Sequence, residues 1–206
     1  MPKGKVKLLL LIFVFASLII NVSLSFAQDT YKLDTKKSKI KWIGKKFLGA
    51  HWGWVAFKSG SIVYDGNKIL KGEFEVDMNT IENEDLKDKE TNAKLVGHLK
   101  SDDFFSVSKF PTAKFVILHS TPLKQEKARD PNIAITGKMT IKGNTQTISF
   151  PATIKVDGDK IKAKAKLEID RTKFDVRFGS GSFFENLGDN VIYDNFTLEL
   201  DLIFSK

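Results

Sequence analysis

Charged and apolar residues alternate without interruption from Lys160 to Asp170. A period of two is typical of a β-strand with one wet face and one buried face, because successive side chains of a strand point in opposite directions. The apolar face includes Ala163 and Ala165, which have almost no side chain. Such a wall is compatible with an enclosed space, although small residues also let strands coil tightly around a solid core.

The first 27 residues differ in kind from the rest of the chain. Three lysines precede an apolar run over 8–20, and small residues end the segment at Ala27. This pattern is typical of a secretory signal peptide cleaved after Ala27, so we expect residues 28–206 to form one exported domain. An uncleaved anchor also stays open, because 8–27 could just span a bilayer.

Composition limits what can hold this domain together. The chain has no cysteine, which excludes disulfides and thiolate metal sites, so an exported domain must rely on its core. Phenylalanine occurs 17 times against three tryptophans and three tyrosines, which predicts an unusually apolar interior. Removing three lysines from a net charge of +8 leaves 8 − 3 = +5. This positive charge favours binding to an anionic membrane surface or head group. Alternatively, the lysines of the segment 160–170 simply form a strand face exposed to water. Binding to nucleic acid fits poorly with export.

Period-two segments recur along the mature chain and are separated by turn signals such as Asp65-Gly66-Asn67, Lys142-Gly143-Asn144 and Asp157-Gly158-Asp159. These signals predict antiparallel hairpins. Roughly eight strands are enough to close a barrel. The predicted strands cover 40–45, 51–58, 61–64, 69–78, 113–120, 133–141, 145–156, 160–170 and 191–204.

One segment breaks the strand pattern. Residues 85–100 are rich in helix formers and contain no proline, which predicts a helix. Phe104, Phe105 and Phe110 follow it. We expect these aromatic residues to form a lid on the barrel mouth, or else to dock the helix onto the sheet.

Motifs of catalysis are hard to find. His51, His98 and His119 lie far apart and show no spacing that favours a metal, and there is no nucleophile elbow or P-loop. Arg171 beside Asp170, and Arg177 near Asp175, are plausible ion pairs that tie down a strand end or bind a head group.

Several short motifs follow one another along the chain. In the first half they are Trp42, His51-Trp52-Gly53, Val76-Asp77-Met78, His98-Leu99, Asp103-Phe104-Phe105 and Phe110-Pro111-Thr112-Ala113-Lys114-Phe115. In the second half they are Thr136-Gly137-Lys138-Met139-Thr140-Ile141-Lys142-Gly143, Ser149-Phe150-Pro151 and Ile169-Asp170-Arg171-Thr172-Lys173-Phe174. In this order the motifs resemble those of the YceI-like family of exported lipid-binding proteins. Met139 and Asp175 depart from the family's usual leucine and glycine.

The resemblance implies an all-β fold with one capping helix, an antiparallel lipocalin-like barrel that holds a polyisoprenoid or isoprenoid quinone-like lipid in an apolar channel. It implies no catalytic residue, no metal and no other cofactor. Together with the signal peptide it implies a periplasmic location, with secretion as the alternative. The partners are then the lipid itself and, transiently, a membrane surface; the oligomeric state is left open. The alternatives are an enzyme acting on an isoprenoid quinone or phosphate, using His98 with Asp103 or Arg171 with Asp175, and a small outer-membrane barrel.

The residues expected to touch the lipid are mostly aromatic or small. Those expected to contact its apolar chain are Trp42, Trp54, Phe74, Phe104, Phe105, Phe110, Met139, Phe150, Ala163, Ala165, Phe183, Phe184, Phe196 and Leu198. Possible head-group contacts are His98, Arg171 and Arg177. The Phe104, Phe105, Phe110 loop and Phe183-Phe184 are the expected gate.

Overall fold

A computed structural model describes residues 28–206, so the predicted signal peptide lies outside the described residues. The described chain forms nine strands, one α-helix and two short 3₁₀ helices, at Arg171–Phe174 and Gly188–Asn190. The helix, α1, spans Lys89–Lys100. The strands are β1 (Asp29–Leu33), β2 (Lys39–Lys46), β3 (Gly49–Tyr64), β4 (Ile69–Asn83), β5 (Thr112–Pro122), β6 (Ile133–Ile141), β7 (Asn144–Asp157), β8 (Lys160–Asp170) and β9 (Ile192–Ser205).

The strands form one antiparallel sheet that closes on itself, which confirms the predicted barrel. The order is β3-β2-β9-β8-β7-β6-β5-β4, and β4 pairs back with β3 to close an eight-stranded ring. Strand β1 takes over the position of β2 further along the barrel. It pairs with the last residues of β3 and β9, beyond the stretches that β2 covers.

The alternation in β8 is resolved with the apolar side inward. Ile161, Ala163, Leu167 and Ile169 are buried, while the lysines between them are exposed. This is the reverse of the arrangement in an outer-membrane barrel, whose apolar side chains face lipid. Part of the lysine row is paired: Lys164 and Lys166 form ion pairs with acidic residues of β9.

Pairing between β7 and β8 stops at Ala152 and Ala165. The residue before Ala152 in β7 is Pro151. The carbonyl of Ala152 points toward β6, and adjacent residues of a strand alternate in this direction, so the nitrogen of Pro151 points toward β8. Proline has no N–H to donate there. The two strands diverge beyond this point, and the 3₁₀ helix Arg171–Phe174 covers the gap. Gln146 and Asn144 of β7 donate to its carbonyls at 3.0 and 3.2 Å.

Three local features differ from the sequence-based expectations. Strand β1 was not predicted, and β3 is one strand of 16 residues rather than two. The strand passes through Gly60, where a Cβ would lie 2.8 Å from Phe74 and 3.0 Å from Leu33, so a larger residue would force these side chains to move. The helix begins four residues later than predicted because Asp88 caps it, accepting from Thr91 N at 2.9 Å.

The helix packs inward through Leu95 and Leu99, whereas Ala93 and Gly97 are exposed. Within residues 28–206 there is no helix long and apolar enough to cross a bilayer. The helix instead lies over one end of the barrel, and this placement decides where the functional site can open.

Candidate functional site

An apolar cavity runs through the inside of the barrel. Its volume is about 210 Å³, many times the space that one water molecule needs. Strands β2 to β9, α1 and the loop after it contribute to the wall. The side chains that line it are overwhelmingly apolar, so the cavity suits hydrocarbon rather than a polar ligand.

Three alanines keep one side of the wall thin. Ala152 lies opposite Ala165, and Ala163 lies opposite Ile154 on the neighbouring strand. All three line the cavity. A leucine or phenylalanine at these positions would occupy the space that now remains open.

Glycines act differently from these alanines. A Cβ at Gly137 would lie 2.5 Å from the ring of Phe115, and one at Gly72 would lie 3.0 Å from Ile117 and Ile62. These glycines therefore leave no open volume in the barrel. They accommodate neighbouring side chains that fill the space.

The cavity is covered at one end by a lid of aromatic and aliphatic side chains. Phe104 is buried and stacks edge-on with Phe105 at 5.0 Å between ring centroids. Phe104 packs with Leu99 of α1 and with Trp42 of β2 in one cluster. Trp42 donates its indole N–H to the carbonyl of Glu82 at 3.0 Å, so its polar group is satisfied and its ring can face hydrocarbon.

The structure brings ten of the fourteen expected chain-contact residues to the cavity wall. They are Trp42, Phe74, Phe104, Phe105, Met139, Phe150, Ala163, Ala165, Phe196 and Leu198. Their contact with a ligand stays a prediction. The wall also includes residues that the motifs did not single out, among them Phe57, Phe115 and Phe204. The alternation of apolar and polar residues in their strands was the sequence feature that could have identified them.

Four expected residues lie away from the cavity wall. Trp54 is on the outer face of the barrel, where its ring meets Trp52 edge-on and Lys39 lies 5.5 Å from its centroid. Phe110 packs over Gly143 in the β6–β7 turn. Phe183 and Phe184 are about half exposed in the loop between β8 and β9.

Arg171 is the one head-group candidate that borders the cavity, and its guanidinium is already engaged. It donates to the carbonyls of Tyr193, Val176 and Ile192 at 3.1, 2.8 and 2.9 Å. Asp194 lies 3.6 Å away. Burial lowers the pKa of Arg171 from its ordinary value, which the charges of Asp194 and Asp170 oppose. Arg171 is thus a clamp that joins the β8–β9 loop to the start of β9.

The other two head-group candidates lie outside the cavity. His98 packs against Phe178 and Phe104, with ring centroids 4.4 and 5.7 Å apart. Arg177 is exposed, forms an ion pair with Asp175 at 2.8 Å and lies over the ring of Phe183. The pair with Asp175 was one of the two predicted ion pairs. In the other, Asp170 caps the 3₁₀ helix through Thr172 instead.

A polar network that the sequence analysis missed anchors the lid. Asp85 accepts from Trp52 N at 2.7 Å and from Asn83 at 2.6 Å, and contacts His51 Nδ1 at 2.8 Å. Burial alone would raise the pKa of Asp85, but these hydrogen bonds outweigh it and hold the pKa below its usual value. Asn92 of α1 donates to the carbonyl of Asn83 at 2.9 Å, which ties the helix to β4. No spacing in the sequence signals these long-range partners.

Fold and cavity together define a closed antiparallel barrel with an apolar interior and a helical cap. Residues 31–204 match the family model described as a YceI-like domain. The chain belongs to the YceI-like family. It is 31% identical to Protein YceI of Salmonella agona over 155 residues, which is 73% of this chain and 74% of that protein.

Solved structures resemble the whole barrel. BcnA of Burkholderia cenocepacia is 26% identical with a TM-score of 0.63, over 83% of this chain and 98% of that one. A polyisoprenoid binding domain from Saccharophagus degradans is 14% identical with a TM-score of 0.58, over 85% of this chain and 97% of that one. The second likeness concerns the fold alone.

Proposed function

We propose that this protein binds a long-chain polyisoprenoid, or a similar amphiphilic lipid, in the barrel cavity and sequesters or carries it without chemical change. The enclosed apolar cavity between the alanine wall and the aromatic lid is the observation that supports this most strongly. Each buried methylene stabilises a complex by about 0.8 kcal/mol relative to water, so a long hydrocarbon chain is the ligand that such a cavity rewards most.

The choice of a polyisoprenoid draws on the family. The Saccharophagus degradans domain of the same fold is described as binding polyisoprenoid. In this chain the ten wall residues that were expected to contact lipid would hold the ligand's chain, with Ala163 and Ala165 leaving it room and Phe104 and Phe105 covering it.

The head group would lie at the lid end, because the opposite end is filled by side chains of β1, β3 and β9. Arg171 borders the cavity, but its guanidinium already donates hydrogen bonds to three backbone carbonyls. Arg177 is exposed near the lid and has a free side to offer an anionic group, so it is the better candidate for that contact.

Membranes compete for the same ligand, since they reward buried methylenes about equally. We therefore propose transient contact with a membrane surface, where the lipid enters or leaves while the lid opens. Export by a signal peptide cleaved after Ala27, with residues 28–206 acting in the periplasm, fits such a role and the family to which the chain belongs.

Native mass spectrometry tests the proposal. The exported protein is purified from its own host without detergent, and any lipid that copurifies is extracted and identified. A stoichiometric polyisoprenoid is the expected result. A mass of the protein alone, with no uptake from added polyisoprenoid, would overturn the proposal. Turnover of an added isoprenoid quinone or phosphate would favour an enzyme instead.

A further inference from the structure

The turn between β2 and β3 carries the most exposed large apolar side chains of residues 28–206. Phe47 is 57% exposed and Leu48 is 64% exposed. The turn itself requires only Gly49, whose φ of +108° suits glycine. Its geometry gives no reason to place two large apolar residues at the tip.

The other tight turns of the barrel show the contrast. They use polar residues and glycine, as in Gly66-Asn67, Lys142-Gly143 and Gly158-Asp159. Phe47 and Leu48 are more exposed than covered, so they add little to the packing of the barrel, and they break the local rule that the remaining turns follow. Such exceptions concentrate at functional positions.

The tip lies at the lid end of the barrel. Phe47 N donates to the carbonyl of Val191 at 3.0 Å, which joins the tip to the end of the β8–β9 loop. That loop exposes three further rings, Phe178, Phe183 and Phe184, at 45%, 47% and 49%. Exposed apolar area is therefore concentrated beside the lid.

The two residues that precede the tip in the chain are positively charged. Lys45 and Lys46 are exposed and immediately precede Phe47. Neither lysine takes part in an ion pair within residues 28–206. Aromatic and aliphatic side chains beside free ammonium groups complement a bilayer whose surface carries anionic phosphates, since the chains enter the acyl boundary while the lysines stay with the head groups.

We propose that the Phe47–Leu48 tip, with Lys45 and Lys46, docks the protein on an anionic lipid bilayer and seats the lid end of the barrel against it. The proposal rests on the proposed function, because the bilayer is then the source and destination of the bound lipid. It adds the surface that makes this contact and the kind of membrane that it prefers.

Vesicle cosedimentation tests the docking surface. The exported protein is mixed with vesicles of phosphatidylglycerol and phosphatidylcholine in equal parts, and with vesicles of phosphatidylcholine alone. The double variant F47S/L48S should reduce the fraction bound to the anionic vesicles by about fivefold or more. The variant K45Q/K46Q should reduce binding and remove most of its sensitivity to salt. Val156 is 42% exposed near the β7–β8 turn, at the opposite end of the barrel, so V156S serves as the matched control and should bind as the unchanged protein does.

Two further readouts separate this inference from the lipid-binding function. The F47S/L48S variant should still take up a fluorescent polyisoprenoid delivered without vesicles, whereas Ala165→Phe should lose that uptake yet still bind vesicles. Loss of uptake by all forms, with tip-dependent vesicle binding intact, would count against the lipid function alone. Vesicle binding that is unchanged in F47S/L48S, or absent in the unchanged protein, would overturn the docking proposal. So would sedimentation velocity that shows the tip holding two copies of the chain together.

Discussion

The two ends of this barrel are closed in different ways. At the end with the β3–β4 and β7–β8 turns, strand side chains meet directly: Phe204, Ile62 and Ile161 are almost completely buried, and Phe204 contacts Phe74 edge-on at 6.0 Å. At the other end, α1, the Phe104 loop and the β8–β9 loop cover the cavity. The first end is closed by side chains of the hydrogen-bonded strands themselves. The second end is closed by a helix and loops that pack onto the strands.

This difference separates stability from access. Opening the first end requires breaking strand pairs, which costs a large share of the stability of the domain. Opening the second end requires only that a short helix and two loops detach, which is the kind of local event that proteins undergo without global unfolding. The lid end is therefore where a lipid can pass, and three features hold it in place: Phe104, Arg171 and Asp85.

The largest expected effect tests whether the cavity between the two ends holds the ligand. Ala165→Phe would fill space equal to about six methylenes, so the affinity for polyisoprenoid should fall by up to about 5 kcal/mol. A titration with fluorescent polyisoprenoid measures it. Ala134 lies in β6 and is not part of the cavity wall. Ala134→Phe adds the same ring there and serves as the control. Equal affinities for the unchanged protein and Ala165→Phe would place the ligand elsewhere.

A matched pair of phenylalanines compares the ends directly. Phe204→Ala should lower the free energy of unfolding by about 3–5 kcal/mol, because the removed ring leaves a hole among hydrogen-bonded strands that cannot easily close around it. Phe104→Ala should lower it less, and should instead speed amide exchange in α1 and the release of bound lipid. Urea denaturation and hydrogen exchange measure these effects. The comparison fails if both variants destabilise the domain equally and exchange in α1 is unaffected.

Arg171→Met tests the clamp on the lid. One buried and two partly buried carbonyls would lose their donor, so we expect the free energy of unfolding to fall by about 2–5 kcal/mol. Arg177→Gln removes an exposed ion pair and should cost less than about 1 kcal/mol while weakening the binding of lipids with an anionic head group. Thermal and urea unfolding, together with titrations of lipid with and without a phosphate, measure both. A reversed order of stability would remove Arg171 from the clamp role.

Asp85→Asn should lower the free energy of unfolding by about 1–3 kcal/mol at neutral pH, which is less than the effect expected for Arg171→Met. The hydrogen bonds of Asp85 hold its folded pKa below its unfolded value of about 3.9, so its contribution is fully present above that pH and is lost as the pH falls through the folded pKa. The difference in stability between the unchanged protein and Asp85→Asn should therefore shrink on acidification below about pH 4. A constant difference down to pH 2, on the order of two units below that value, would contradict the assignment.

Local features of the fold were predictable where neighbours in sequence decide them. The alternation in β8 and the turn signals at Gly66, Gly143 and Gly158 give strands, hairpins and an antiparallel barrel, because side-chain direction and turn conformation are local properties. The helix was predicted as an element, although its start depended on the cap at Asp88. Strand β1 is short, and its two partners are distant in sequence, so no local pattern announced it.

Most of the expected cavity wall also followed from the apolar faces and the family motifs, but the exceptions are instructive. Trp54 faces outward because it shares a face with Trp52 rather than with Val55 and Phe57, which line the cavity. Phe183 and Phe184 lie in a loop without a period, so their position depended on how that loop folds.

Composition, and residues a few positions apart, are enough to predict a core without disulfides, the alternating strands and the tight turns. The folded barrel was needed to show which face is inside, that Phe115 fills the space over Gly137 while the alanines of β7 and β8 leave theirs open, and that Arg171 clamps a loop. Each of these features depends on partners that closure of the barrel brings together, and the separation of these partners along the chain carries no local signal.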